Sequence, residues 1–321
     1  MVKICVVGAI NWDINLFVER FPEIGEEVPV EKITRVPGGK AANVAVASAR
    51  ILGSEQVALI GCLGRDSVAD QQIGVLKSEG VVVSGIKIIE DAESGQAYIL
   101  IDKNGRNIIN TMFGANLRLV PEDFQDKTIS NLLLKSSIVT LIDPPFETIE
   151  AASTLAKKKG KIVVWDAGVR SMLGIKKLDK ILKNLNYLVI NHVEVKNLTG
   201  EQEPVKAWAK LSTINNRLGL IVKLGEKGCS LISSEQIVIV PGVDLEKLGL
   251  KVVNTVGCGD AFLGMFVASK SQGLSDKECL ERANLAGALK ATKHETRGSP
   301  TKHEFERYLK FKKTSITARS A

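Results

Sequence analysis

The chain has 321 residues, 45% of them hydrophobic and 25% charged, with a formal net charge of +7. That length can bury a sizeable core, while dispersed basic residues and only 5% aromatics leave no stacking surface for nucleic acid. No apolar run reaches the ~20 residues of a membrane span and no signal-peptide layout opens the chain; five scattered cysteines without CxxC spacing read as free thiols of a cytoplasmic protein, not a disulfide frame or zinc site.

Residues 2–8 predict a buried strand ending at Gly8, with Asn11 and Asp13 just past it, where strand ends of an open α/β sheet meet a ligand. Gly8 lacks the GxGxxG pattern, which excludes a nicotinamide fingerprint. Residues 14–36, broken by Pro22, Gly25 and Pro29, read as a β excursion from the main sheet. Pro37-Gly38-Gly39-Lys40 then opens a small-residue helix that carries no further charge until Arg50, with Lys40 and Asn43 on one face of its first turn. A lysine there opposes the helix dipole and calls for an anionic or hydroxyl-rich partner. Strands at 56–62 and 81–89 flank a helix at 66–79 capped by Asp66. Lys103-Asn104-Gly105 predicts a hairpin within 95–116.

Strands at 137–143, 161–166, 186–190 and 219–225, a helix at 147–159, a hairpin at 230–240 and helices at 275–293 and 302–311 follow. Repeated strand–helix alternation predicts an α/β fold, a central mostly parallel sheet with helices on both faces. Residues 1–13, 37–94 and 117–311 would form this body. The excursions 14–36 and 95–116 would form one small β lid, and 312–321 a flexible tail.

The chemistry centres on Val252 to Ala268, where an apolar pair leads through Gly257, Cys258 and Gly259 into Asp260 and a buried helix. Unpaired N–H groups at a helix start attract anions, and glycines let one approach. An anion site beside a carboxylate suits phosphoryl transfer to an alcohol, although a capped glycine turn would look the same. Asp13, Asp143, Asp166, Asn191, Glu194 and Lys223 also fall at or just past predicted strand ends. Those ends share one edge in a parallel sheet and can line one cleft, while each alone reads as readily as a helix cap.

Two long motifs, PGGKAANVAVASARILG (37–53) and VNTVGCGDAFLGMFVA (253–268), supported by VGAINWD, the GAN at 114–116, NHVE at 191–194 and KLGEKG, resemble the ribokinase-like (phosphofructokinase-B type) carbohydrate kinases. The resemblance runs from Val7 to about Thr301 and is closest in motif to ribokinase. It implies a kinase passing the terminal phosphate of ATP or ADP to a sugar hydroxyl. Asp260 would be the general base, and Gly257, Cys258 and Gly259 the anion hole. Asn11, Asp13, Gly39, Lys40, Asn43 and Asp143 would hold the sugar. Asn191, Lys223, Gly225, Gly228 and Asn284 would meet the nucleotide. Glu194 would order magnesium through water, and the lid would serve as a homodimer interface. Asn254 replaces the aspartate that many members use toward a monovalent cation, which leaves potassium open as a further cofactor. Cys258 replaces a common alanine, a change expected to matter little because its backbone does the work.

A ribose-type sugar is the leading expectation from GGK, Asn43 and Asp143. Arg170, whose forked donors suit carboxylate or phosphate, and Thr111 and Met112 in a lid strand expected to face the sugar keep a sugar phosphate, a sugar acid or a nucleoside open. A non-catalytic sugar-binding regulator on the same fold is the alternative of another class, opposed by the intact Gly257, Gly259 and Asp260.

Overall fold

A computed structural model describes residues 1–317, with side chains up to Lys310. The chain opens with β1 (Ile4–Gly8), β2 (Asn11–Val18), β3 (Val30–Gly38) and α1 (Lys40–Leu52). It continues through β4 (Val57–Gly64), α2 (Ser67–Ser78), β5 (Val81–Ile89), the hairpin β6 (Gly95–Ile101) and β7 (Asn107–Met112), α3 (Lys127–Lys135) and β8 (Ile138–Ile142). Next come α4 (Phe146–Lys158), β9 (Ile162–Asp166), α5 (Gly174–Leu182), β10 (Tyr187–Asn191), α6 (His192–Thr199) and α7 (Pro204–Ser212). The chain closes with β11 (Gly219–Lys223), β12 (Gly228–Ile232), β13 (Ile237–Pro241), α8 (Cys258–Ser271), α9 (Asp276–Ala291) and α10 (Lys302–Thr317). Helices α3, α5, α6 and α7 were not expected; each has only eight or nine residues and lies in a connection between strands. Helix α10 reaches Thr317, so the segment expected to be a loose tail is helical up to there, and its last residues, 318–321, lie outside the described residues.

Nine strands form the central sheet in the order β13–β12–β11–β10–β9–β8–β1–β4–β5. Pairing is parallel from β11 to β5 and antiparallel at β12 and β13. β1, β4 and β8 are buried at every position, as continuous apolar runs must be when helices cover both faces. One core joins the sheet to α1, α8 and α9, and the other joins it to α3 through α7. The chain leaves β1 for β4 on one side and reaches β8 on the other. The strand order reverses there, which opens a crevice beyond the carboxyl ends of β1 and β8.

The two β excursions build one small sheet in the order β3–β2–β6–β7. Its β6–β7 turn is closed by the Asp102 carboxylate, which accepts from the N–H groups of Asn104 and Arg106 at 2.9 Å each. β2 begins at Asn11, so Asn11 and Asp13 lie in the small sheet, not at the end of a main-sheet strand. Register aligns Asp13 with Ala97 and Thr111 across three strands. Met112 aligns instead with Gln96 and Trp12, and neighbouring strand residues point to opposite faces. Thr111 and Met112 therefore cannot both face the sugar, and only Thr111 shares the row of Asp13. Among the described residues no helix is long and apolar enough to cross a membrane.

Candidate active site

Helices α1 and α8 lie close because small residues face each other between them. A Cβ on Gly264 would stand 2.5 Å from the Ala47 Cβ, and the Ser48 hydroxyl lies 3.0 Å from the Gly264 carbonyl. Both helices are entered through a glycine at positive φ, 86° at Gly39 and 84° at Gly257, a region that strains other residues. Their first turns meet as a result. Asn43 donates through Nδ2 to Asp260 Oδ2 at 2.8 Å, across 217 residues of chain.

The charges of this region are tightly coupled. Burial pushes the Asp260 carboxyl up to about 6, against the Asn43 hydrogen bond and the Lys40 ammonium, which pull it down. Asp13, on β2, is likewise pushed up to about 6 by burial, with Arg297 opposing and Asp260 adding to the rise. Its carboxylate packs so closely on Gly38 that any side chain there would collide with it. Lys40 reaches Asp143 at 2.9 Å. Partial loss of water around its ammonium works against the charge, but Asp143, Asp166 and Asp260 outweigh it and hold the pKa above the ordinary lysine value. Asp143, directly after β8, has φ 55°, a backbone conformation that side chains other than glycine rarely adopt. Such strain persists where the surroundings impose it, often at functional sites. Arg170 stands 3.6 Å from the same carboxylate.

Beyond the Gly257–Gly259 turn lies a cleft of about 900 Å³, bordered by Lys223, Gly225, Gly228, Cys258, Gly259 and Asn284. Asn284 donates to the Pro241 carbonyl at 2.7 Å. The Lys223 ammonium, expected to reach a nucleotide, donates to Asp166 at 2.7 Å and would have to share itself with a phosphate. Asp166 is buried, yet Lys223 and Lys40 bring its pKa below the usual carboxylate range. The Cys258 thiol is pushed up to about 11 by burial, so it is protonated at neutral pH.

Asn191 and Glu194 cap α6 reciprocally. Asn191 Oδ1 accepts from the N–H groups of Val193 and Glu194 at 2.9 and 3.0 Å, and Glu194 Oε2 accepts from the Asn191 N–H at 2.8 Å. Burial and the charge of Asp166 push the Glu194 pKa up, a cost that a nearby cation would relieve. Among the described residues no group of three or more His, Cys, Asp or Glu side chains could hold a metal ion. These residues fit a magnesium ion carried by phosphates and its own waters, not one caged by protein.

Arg297 and Gln72 escaped the sequence pattern, and Asn116 entered it only as the end of the GAN at 114–116. Arg297 is buried and donates to Asn43 Oδ1 at 2.9 Å, to the Gly38 carbonyl at 2.7 Å and to Gln72 Oε1 at 3.3 Å. It ties the first turn of α1 to the end of β3, and a lone arginine in a loop after α9 gives no periodic signal. Gln72, on α2, also donates to the Asn11 carbonyl. Asn116 bonds both the N–H and the carbonyl of Ile10, at 2.8 and 3.1 Å, and Asn11 Oδ1 at 2.9 Å, so the Asn11 side chain is engaged within the protein.

Residues 1–303 match the family model described as pfkB family carbohydrate kinase. An ATP-dependent ribose-1-phosphate kinase of Halopiger xanaduensis is 30% identical over 301 residues, covering 94% of this chain and 96% of its own. The crystal structure of a ribokinase from Thermotoga maritima superposes with a TM-score of 0.84 at 30% identity, covering 97% of this chain and 100% of that one. An Arabidopsis thaliana ribokinase complexed with ribose and ATP gives a TM-score of 0.85 at 26% identity, covering 97% and 99%. With the paired first turns of α1 and α8 at a shared crevice, these matches show that the chain belongs to the pfkB family of carbohydrate kinases and is a phosphotransferase of the ribokinase-like kind.

Proposed function

We propose that this sugar kinase passes the terminal phosphate of ATP to a hydroxyl of a ribose-type sugar, with Asp260 as general base. One observation carries the reading: a carboxyl raised to about 6 stands on the first turn of α8, beside the Gly257 turn, and is steadied by Asn43 of the helix that bears Lys40. At neutral pH such a carboxylate is mostly ionised and still basic enough to take a hydroxyl proton, an effect worth ~10²–10⁴ in rate. In this reading the hydroxyl proton passes to Asp260 and the freed oxygen attacks the terminal phosphorus. The bond to the bridging oxygen breaks, and ADP leaves. The N–H groups of Gly257, Cys258 and Gly259 steady the charge on the transferring group. Asn11, Asp13, Gly39, Lys40, Asn43 and Asp143 hold the sugar, and Asn191, Lys223, Gly225, Gly228 and Asn284 the nucleotide. Magnesium, when bound, supplies neutralising charge at the phosphates. Glu194 is the residue to order its waters. The ribose and ATP named for the Arabidopsis structure support this choice of substrates.

A sugar phosphate is the second reading. Asp143 meets both Lys40 and Arg170, so two cationic donors stand together at one side of the crevice. The Halopiger relative is named for such a substrate. A homodimer through the small sheet is supported by Ile33, Ile108 and Ile109, which are about half exposed on its outer strands. Five free cysteines support a reducing, cytoplasmic setting.

A coupled assay of nucleotide consumption tests the reading, run with ATP and ADP against ribose, deoxyribose, ribose 1-phosphate, a keto-deoxy sugar acid and a nucleoside. Turnover of ribose with ATP is expected. Preference for the phosphorylated sugar moves the assignment to the second reading, and turnover of none of them sinks both.

A further inference from the structure

Lys290 is fully buried in the last turn of α9, yet no carboxylate lies within ion-pair distance of it among the described residues. Its ammonium donates to two backbone carbonyls, Asn254 at 2.9 Å and Lys293 at 3.4 Å. An enclosed ammonium without a carboxylate is expensive, and such a group persists where surrounding dipoles are arranged for it. Here the two carbonyls belong to two loops that wrap the charge. Asn254 leads into the Gly257 turn. Its backbone N–H donates to the Ala291 carbonyl at 3.0 Å and its side chain to the His294 carbonyl at 2.7 Å. The Lys290 stem runs directly beneath the turn, with Cε 3.5 Å from where a Cβ on Gly257 would stand. Burial lowers the Lys290 pKa, while the charges of Glu295 and Asp260 work the other way.

We infer that Lys290 is a positioning residue for the Gly257–Gly259 turn, a tethered monovalent cation that clasps the two loops through their carbonyls and holds the turn's N–H groups toward the phosphoryl group. The inference rests on the reading of this turn as the phosphoryl site. It follows that a place which carbonyl oxygens could otherwise offer to a small free cation is filled by the chain itself. Turnover then needs no added monovalent ion.

The experiment compares wild type, Lys290→Ala and Lys290→Met in potassium, ammonium, methylammonium and choline chloride at equal ionic strength. Turnover, KM and thermal midpoint are measured for each. Wild type is expected to keep the same kcat in all four salts. Both variants should lose roughly 10–100-fold in kcat, the scale seen for residues that orient a charged site from behind, with a smaller change in KM. Potassium, ammonium or methylammonium should restore part of that loss in Lys290→Ala, where space is opened, and not in Lys290→Met. The same ions should raise the melting temperature of Lys290→Ala above its value in choline. Strong activation of wild type by potassium over choline overturns the inference and needs no variant to fold. So does a Lys290→Ala protein whose kcat is unchanged, or whose loss is indifferent to the cation. If wild type phosphorylates no sugar, the phosphoryl-site reading fails, while a melting temperature of Lys290→Ala indifferent to the cation counts against the tethered cation by itself.

Discussion

Asn43 bridges Arg297 and Asp260: its Oδ1 accepts from Arg297 Nε at 2.9 Å while its Nδ2 donates to Asp260 Oδ2 at 2.8 Å. A buried guanidinium thereby fixes the amide's orientation, and the amide fixes the carboxylate. The acid stays ionised without a direct cation that would weaken it as a base.

Replacing Asp260 by Asn removes the base and keeps the shape. Steady-state kinetics should show kcat lower by ~10²–10⁴ with little change in substrate binding. The same variant should be more stable. Lifting a carboxyl from its ordinary 3.8 to about 6 on folding opposes the folded state at neutral pH by on the order of 1–3 kcal/mol. Thermal melting at pH 7.5 should therefore rise. An unchanged kcat would remove Asp260 from the chemistry.

The pH profile follows from the same shift. Asp260 must be ionised to accept a proton, so kcat/KM should rise with pH through about 6 and level above it. Between 3.8 and about 6 the folded protein binds more protons at Asp260 and Asp13 than the unfolded chain does, so stability contributed by these groups is lost as pH rises through that window. Asn43→Ala deletes a hydrogen bond that favours the ionised form, and the acid limb should move to higher pH. A limb that stays in place would show that Asn43 does not tune the base.

Lys40→Met should weaken sugar binding more than nucleotide binding, because its ammonium reaches Asp143 on the β8 side of the crevice and not the large cleft. Titration calorimetry with each ligand separately checks this. The reverse ranking would misplace the sugar pocket.

Arg170→Gln separates the two substrate readings. If a sugar phosphate is the substrate, its KM should rise by about tenfold or more on losing a charge-assisted contact, and that for ribose should hardly move. Equal effects on both would leave Arg170 with a structural role at Asp143.

Gly264→Val tests how the site is assembled. The added side chain drives into Ala47 and the Val44 carbonyl, and overpacking of this kind costs about 1–3 kcal/mol. A fall in melting temperature with a fall in kcat is expected, since α1 and α8 must separate and carry Asn43 away from Asp260. Full activity in a stable variant would show that the close approach is dispensable.

Local pattern alone was enough for much of this protein. Continuous apolar strands, the Asn-Gly hairpin, the Asp66 cap and the glycine entries to α1 and α8 all follow from short stretches, because backbone conformation and burial on both faces leave a mark on neighbouring residues. Short α3, α5, α6 and α7, of eight or nine residues each, were not expected. Nor did the sequence say that Asn11 and Asp13 belong to the small sheet, that Thr111 and Met112 face opposite ways, or that Lys223 is engaged by Asp166. Arg297, Gln72 and Lys290 look ordinary in the chain. Their roles come from the packing of α1 against α8 and of α8 against α9, which brings residues more than two hundred positions apart into one charged cluster. Pairing, register and the desolvation that lifts Asp260 are properties of that assembly, and only the tertiary structure could decide them.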